Sequence, residues 1–337
     1  MKILLTGAAG GIGSLLAKRL HENGHSLFLV DDLSGGSESN LANLKFPFEL
    51  HKWDLSVSEN VDQIFDQFTP DYIIHLASLT ALADCQSNPD LAFQSNTRTT
   101  LLLLEKSRKF MLKRFILAST SAVYEKTNTL KHKESDAVSP QLIYPLSKKM
   151  SEDICEAYSK VYEIPITVLR LFNVYGPYQN VRRRTPPLLN YLCREYLNNR
   201  VPILHSSGEQ RRDYVSVHDV VDAFDQVISM SDTLSEFEVI NIASGEQASV
   251  KQIDFLVRQE LGIKYLPTYR EARKMWDQFD NLYDTARQLP EHIVESEVTK
   301  ESLGDNSIGR AILKWSPISL TEGLKQVINE IKISQAL

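Results

Sequence analysis

The stretch Lys2-Ile3-Leu4-Leu5-Thr6-Gly7-Ala8-Ala9-Gly10-Gly11-Ile12-Gly13 decides the fold. Its apolar run has the length of one buried strand, and residues 12–23 behind it carry apolar side chains at helical spacing. Gly7, Gly10 and Gly13 stand between the two. Glycines so spaced permit a tight turn, close backbone approach to a pyrophosphate and close packing of helix on strand. The helix start, with Gly11 and Ile12, then offers N–H groups and the positive end of its dipole to phosphates.

A Gly-rich turn taken alone is a weak signal, so the residues that follow it carry weight. A second apolar run at 27–30 ends in Asp31-Asp32, at about the distance where a carboxylate grips the hydroxyls of an adenosine ribose. Asp31 is the better candidate. A carboxylate there repels a 2′-phosphate and no arginine follows it immediately, which favours NAD over NADP.

Further along, short β-branched apolar runs at 3–5, 27–30, 72–76, 115–119 and 167–172 alternate with helical stretches such as 91–109. Alternation of this kind implies a parallel sheet with right-handed crossovers and helices on both faces, the α/β Rossmann-type doubly wound class. After Gly176-Pro177 the pattern loosens, and strand and helix return over 214–230 and 239–243. The expected organisation is an NAD-binding domain over 1–175, rejoined by about 214–245, and a smaller, discontinuous substrate-binding lobe over 176–337. The polar stretch 125–139 reads as a surface loop.

Composition narrows the class. A chain of 337 residues exceeds one ordinary single-core domain and suits a main domain with a smaller partner. With 42% hydrophobic and 24% charged residues it has the make-up of a globular protein, and a net charge of −6 disfavours a broad grip on nucleic acid. The three cysteines are too few and scattered for a disulfide framework or a Cys-rich zinc site. No apolar stretch approaches the roughly 20 residues of a membrane helix, and the first apolar run is too short for a signal peptide. The expectation is a cytoplasmic protein with no metal and no membrane partner.

Tyr144-Pro145-Leu146-Ser147-Lys148 places a phenol and an ammonium four residues apart, on one face of a helix. A free tyrosine has a pKa of about 10, so ionising it at neutral pH costs roughly 4 kcal/mol. Positive charge on Lys148 and on an oxidised nicotinamide lowers that cost by favouring phenolate. Tyr144 then removes a proton from a carbinol as its hydride leaves for NAD.

Ser119-Thr120-Ser121-Ala122-Val123-Tyr124 upstream and Arg170-Leu171-Phe172-Asn173-Val174-Tyr175-Gly176-Pro177 downstream frame this pair. Together with the glycine turn, Asp31, Asp54-Leu55, His75-Leu76-Ala77, Asn96, Arg212-Asp213-Tyr214-Val215 and Asn241-Ile242-Ala243-Ser244-Gly245, they resemble the extended short-chain dehydrogenase/reductases, the family of UDP-galactose 4-epimerase and other nucleotide-sugar enzymes. The resemblance implies that Asp54 and Leu55 contact adenine and that Leu76, Ala77, Asn96 and Phe172 lie along the cofactor. It implies that Thr120 bonds the reacting hydroxyl, that Lys148 also holds the nicotinamide ribose, and that Asn173 and Arg212 hold a substrate diphosphate. It also implies a homodimer through helices at 91–109 and 145–162, where the apolar run 101–104 exceeds one buried stripe.

Within that family the reactions share hydride removal and then diverge. An epimerase forms a 4-keto sugar at C4 and returns the hydride to the other face. A 4,6-dehydratase needs an additional acid and base, and the Asp-Glu pair that supplies them is replaced here by Ser121 and Ala122. A uronic-acid decarboxylase is expected to carry Glu at Ala122. The preferred reading is therefore an epimerase of a nucleotide-diphosphate sugar; the alternatives are a decarboxylase, a dehydratase, a simple dehydrogenase or a non-catalytic NAD sensor on the same fold.

The resemblance lapses after about residue 264 and resumes at Asp305-Asn306 and Leu313-Lys314-Trp315-Ser316-Pro317. In between, Trp276, Phe279 and Tyr283 read as core or interface, and Arg270 or Arg273 as phosphate ligands or exposed helical side chains. Arg182-Arg183-Arg184 reads as a solvated loop. His75 reads as a packed strand-end residue. Glu125 stands where the family usually has Gly, and nothing in the sequence accounts for it.

Overall fold

The computed structural model describes residues 1–125, 129–180 and 183–335. Strands β1 (Lys2–Thr6), β2 (Ser26–Val30), β3 (Leu50–His51), β4 (Tyr72–His75), β5 (Arg114–Thr120), β7 (Ile166–Leu171) and β11 (Phe237–Ile242) form one seven-stranded sheet in the order β11-β7-β5-β4-β1-β2-β3. Every pairing in it is parallel. Alternation along each strand sends side chains to both faces, and both faces are apolar. Ile3, Leu5, Ile74 and Ile116 pack with Leu16 and Leu20 of the helix Gly11–Glu22 and with Phe224 and Val227 of the helix Val217–Ser229. Leu4, Ile73, Phe115 and Leu117 pack on the other side with Ile64, Leu103 and Cys155. The result is the doubly wound sheet the sequence implies, with the order reversing between β1 and β4, where ligands bind in such folds.

The helix Val217–Ser229, which leads into β11, packs beside the first helix and meets it at the surface. Asn23 and Arg19, at the end of the first helix, reach Asp225 and Asp222 of the helix Val217–Ser229, at 3.0 and 2.5 Å. A further cluster of Tyr175, Leu192, Tyr196, Ile253, Val327 and Ile331 draws residues 188–204, 248–261 and 320–331 together. Strands β8 (Asn173–Tyr175), β10 (Arg211–Ser216) and β12 (Gln247–Ser249) make a small sheet, and β9 (Ile203–His205) pairs with β13 (Thr268–Arg270).

Two expectations change. The stretch 91–109 is no single helix: Pro89–Phe93 passes through a π-helical turn, Gln94–Arg98, into Thr99–Ser107. At this widened turn the Asn96 carbonyl accepts from Ser151 and Thr100, at 3.0 and 2.8 Å, so the helix is opened where a neighbour bonds to it. Nor is 125–139 a plain surface loop. Lys131–His132 forms β6, paired with β14 (Leu303–Gly304), His132 is buried, and Glu134 accepts from the Asn241 N–H at 2.8 Å. Residues 126–128 of that stretch, and Arg182, lie outside the described residues. Among the described residues no helix is long and apolar enough to cross a membrane, and no group of three or more His, Cys, Asp or Glu is placed to hold a metal.

Candidate active site

The glycine turn is shaped by contacts a side chain would destroy. Gly7 has φ +69°, and a Cβ there would lie 2.7 Å from the Ala77 nitrogen; one on Gly13 would lie 2.0 Å from the Gly7 carbonyl oxygen. Gly10 donates to that same carbonyl at 3.2 Å, closing the turn. Asp31, at the end of β2, is buried, and its carboxylate accepts from Ala9 N at 2.9 Å and Leu33 N at 2.8 Å. Burial holds its pKa above the ordinary value, with both N–H groups pulling the other way. Asp54 accepts from Ser56 N at 2.8 Å, which orients the turn that places Leu55.

These residues, with Ile12, Leu76, Ala77 and Phe172, line a cavity of about 2070 Å³ that continues past Thr120, Tyr144 and Lys148 to Asn173, Arg212 and residues 275–281. Ligand pockets commonly run to about 1,000 Å³, so this one has room for a dinucleotide and a second ligand together. The segment after Gly176-Pro177 closes over the turn. The Gln179 side chain lies against Gly11, and Asn40 donates to the Tyr178 carbonyl at 3.2 Å.

Asn96 adjoins this cavity without lining it. It is buried behind the cavity wall, and its amide is spent within the protein: it accepts from Ser78 Oγ and Leu79 N at 2.9 and 2.7 Å and donates to the Leu79 carbonyl and Ser147 Oγ at 3.0 and 2.9 Å. It therefore ties the loop after β4 to the helix Ile143–Tyr162 and has no donor left for a cofactor. His75, beneath that loop, is bonded at both ring nitrogens by Thr6 and Thr99, at 2.8 and 3.3 Å, and burial pushes its pKa down to about 3.

Tyr144 sits in the first turn of Ile143–Tyr162, its phenol close to the Thr120 side chain at the end of β5. Burial pushes the phenol up to about 12, while Thr120 and the charge of Arg183 act to lower it. Lys148 lies one turn on and is buried. Burial pushes its pKa down to about 8, and its ammonium donates to the Ala118 carbonyl at 2.8 Å. The cation acting on the phenol in this geometry is Arg183, which the sequence reading left in a solvated loop. Its side chain lines the cavity, with Nε donating to the Thr185 carbonyl at 2.7 Å. The only sequence hint was three arginines in a row.

Below the pair, the Arg170 guanidinium meets Glu152 at 2.7 Å and Tyr124 OH at 2.8 Å, and Tyr124 donates to Asn241 at 2.9 Å. Ser119 also bonds Glu152. A buried ion pair of this kind is held because removing either partner strands the other. Asp213 likewise accepts from the N–H groups of Ser244, Gly245 and Gly304 at 2.8, 3.0 and 3.1 Å. Several motif residues thus hold the floor of the site.

At the far end, Asn173 donates to the Asp213 carbonyl at 3.0 Å, and Arg212 donates to the Glu297 and Val298 carbonyls at 2.9 and 3.3 Å. Both line the cavity, and the Arg212 guanidinium is held at the C-terminal part of the helix Glu291–Thr299. The atypical segment forms a cover. Trp276 and Phe279, 2% and 1% exposed, pack with Val294, with Ala83 and with Leu142, two residues before Tyr144. Arg184 lies over the Phe279 ring at 5.1 Å, Gln278 donates to the Arg184 carbonyl at 2.9 Å, and Asn281 donates to the Ser87 carbonyl at 2.7 Å. Tyr283 is part-buried at the edge of this cluster, Arg270 borders the cavity, and Arg273 is exposed and paired with Glu271 and Glu291.

Comparison with known proteins agrees with this architecture. The model of the NAD dependent epimerase/dehydratase family matches residues 3–243. A putative UDP-glucose 4-epimerase of Methanocaldococcus jannaschii is 29% identical over 336 residues, 98% of each chain. The crystal structure of UDP-glucose 4-epimerase from Thermotoga maritima with UDP-glucose superposes with a TM-score of 0.86 at 30% identity, covering 100% of both chains. UDP-glucuronic acid 4-epimerase from Bacillus cereus, in complex with UDP-glucuronic acid and NAD, gives 0.81 at 26% identity, over 99% of this chain and 100% of that one.

Proposed function

Because the chain belongs to the NAD dependent epimerase/dehydratase family, we propose that it is an NAD-dependent epimerase that inverts C4 of a nucleotide-diphosphate sugar. The observation that carries the reading is that Thr120, Tyr144 and, one turn behind, Lys148 line one cavity, which is large enough for both cofactor and substrate. The residues present fit NAD. The turn of Gly7, Gly10, Gly11, Ile12 and Gly13 leaves a cradle that a Cβ at Gly7 or Gly13 would fill, and the Asp31 carboxylate closes the adjoining strand end. That turn would hold the pyrophosphate, Asp31 the adenosine ribose, and Asp54 and Leu55 the adenine. Leu76, Ala77 and Phe172 would line its path, and Lys148 would hold the nicotinamide ribose. Asn96 supports this wall from behind.

Bound there, NAD would supply the acceptor and later the donor of the C4 hydride. Thr120 bonds the C4 hydroxyl, and Tyr144, ionised to phenolate as cationic charge gathers in the loaded site, accepts its proton as the 4-keto sugar forms, then returns it after the sugar has turned over. Asn173 and Arg212 hold the diphosphate, so the nucleotide stays fixed while the sugar rotates. Ser121 and Ala122 bear no carboxyl group, which favours epimerisation over the dehydratase and decarboxylase alternatives.

Residues 1–175 with about 214–245 are assigned to NAD and the remainder of 176–337 to the substrate. A homodimer is the proposed assembly. Met150, Ile154, Ala157 and Val161 fall on one face of Ile143–Tyr162, and Met150 and Val161 are 41% and 67% exposed beside Leu91 and Leu101 at 45% and 39%. A monomer at micromolar concentration in sedimentation would refute it. The cytoplasm, where Cys85, Cys155 and Cys193 stay reduced, is the proposed location.

The test is proton NMR in deuterated water with UDP-, GDP-, CDP- and dTDP-sugars and no added cofactor. Inversion at C4 without deuterium uptake is the expected result and names the substrate. Deuterium at C5, or release of carbon dioxide, would move the protein to the dehydratases or decarboxylases.

A further inference from the structure

Glu125 directly follows the short 3-10 turn Ser121–Tyr124, which Thr120 caps. Its Oε2 accepts from the Gln141 N–H at 2.6 Å and the Leu142 N–H at 3.1 Å. Leu142 is the residue before the helix that carries Tyr144, and that helix has no side-chain cap of its own. The next N–H, of Ile143, is taken by Gln86 Oε1 at 3.2 Å. Three consecutive donors ahead of Tyr144 are thus held by side chains from two distant elements.

Open backbone donors at the rim of a cavity can be hydrated, so burial does not demand this arrangement. What it does is mechanical and electrostatic. A single carboxylate spans the segment bearing Thr120 and the helix start bearing Tyr144, elements 16 and 17 residues apart at its two bonds. Its negative charge sits where the helix dipole is positive, which strengthens both bonds. We propose that Glu125 is a positioning residue, clamping the start of the Tyr144 helix to the Thr120 segment so that the phenol and the hydroxyl stay close. The proposal rests on the catalytic reading of Thr120 and Tyr144.

The consequence is specific. The groups around the phenol are Thr120 from β5, Cys85 from the helix Leu82–Ser87, Arg183 from the loop beyond Gly176-Pro177, and Lys148 on the phenol's own helix. Of these, Thr120 acts to lower the phenol's pKa. Releasing the clamp lets the Tyr144 helix start move away from the Thr120 segment, so the phenol becomes harder to ionise.

The experiment compares E125G, E125D and E125Q in the full-length NAD-loaded protein, with turnover expressed per bound NAD. E125G is expected to lose about tenfold to a hundredfold in kcat with KM held within about twofold, the pattern of a displaced reacting group. Its ascending pH limb moves upward. E125Q keeps an acceptor oxygen and restores kcat to within about threefold and the limb to its original place. E125D, one methylene short, falls between them and substitutes for E125G if the glycine variant does not fold. Unchanged kcat and limb in E125G or E125D, or an E125Q as impaired as E125G, would overturn the clamp. If the wild-type protein turns over no sugar, the catalytic reading fails by itself. The clamp is then read from ultraviolet titration of the phenol, wild type minus Tyr144→Phe, in each Glu125 background: an upward shift in E125G supports it and no shift overturns it.

Discussion

Residues 6–55 and residues 272–298 line opposite ends of one cavity, and they are built by opposite routes. In the first, the bonds that shape the turn and strand ends are near in sequence, Gly10 closing on Gly7, Leu33 on Asp31 and Ser56 on Asp54, and the distant segment at 178–180 adds a cover over them. In the second, the deciding contacts cross the chain. Gln278 bonds Arg184, Asn281 bonds Ser87, and Trp276 and Phe279 pack near Leu142 and Ala83. The glycine-turn end is set mainly by bonds between residues close in sequence. The far end is an agreement between distant segments.

The largest effect isolates the chemistry from both ends. Tyr144→Phe leaves turn and cover in place, so bound NAD is unchanged while turnover falls about 10²- to 10⁴-fold. Full turnover in that variant would remove the catalytic role altogether. Trp276→Ala opens the cover, at a local cost of about 3–5 kcal/mol for a buried Trp. Hydrogen exchange over 272–298 should rise and the sugar KM with it, with NAD content intact; loss of NAD instead would mean that the two ends are not independent.

Gly13→Ala attacks the local end, where a Cβ has no room; overpacking of about 1–3 kcal/mol is expected. The purified protein should carry little NAD while the cover keeps its exchange protection, and normal NAD content would break the account of the turn. The smallest effect concerns Arg183, whose positive charge favours the phenolate. Arg183→Gln removes that charge, so the phenol's pKa rises and the ascending limb of kcat moves to higher pH. A limb that stays put would leave Lys148 as the effective cation.

The sheet was readable from β-branched runs because a strand buried on both faces is mostly apolar; Arg114–Thr120 and Ile166–Leu171 are buried along their whole length, and polar members such as Arg114, Thr167 and Arg170 are hydrogen-bonded inside the protein. The π-helical turn at Gln94–Arg98 was not readable. It depends on Ser151, more than fifty residues on, reaching the Asn96 carbonyl. The four internal bonds of the Asn96 amide were likewise not readable, since Ser78, Leu79 and Ser147 reach it from other segments. Arg183 and Glu125 were invisible for a related reason: an arginine in a basic run and an acid after a turn look like surface until a partner arrives from another segment.

By itself, then, the sequence determined the doubly wound sheet, the NAD-type turn and the Tyr144–Lys148 spacing, because strand burial, glycine sterics and helical periodicity act over a few residues. Only the tertiary structure decided which cation faces the phenol, what holds the start of its helix and how the sugar end is closed. Those are matters of side chains far apart in sequence meeting at hydrogen-bond distance, and no local pattern encodes the meeting.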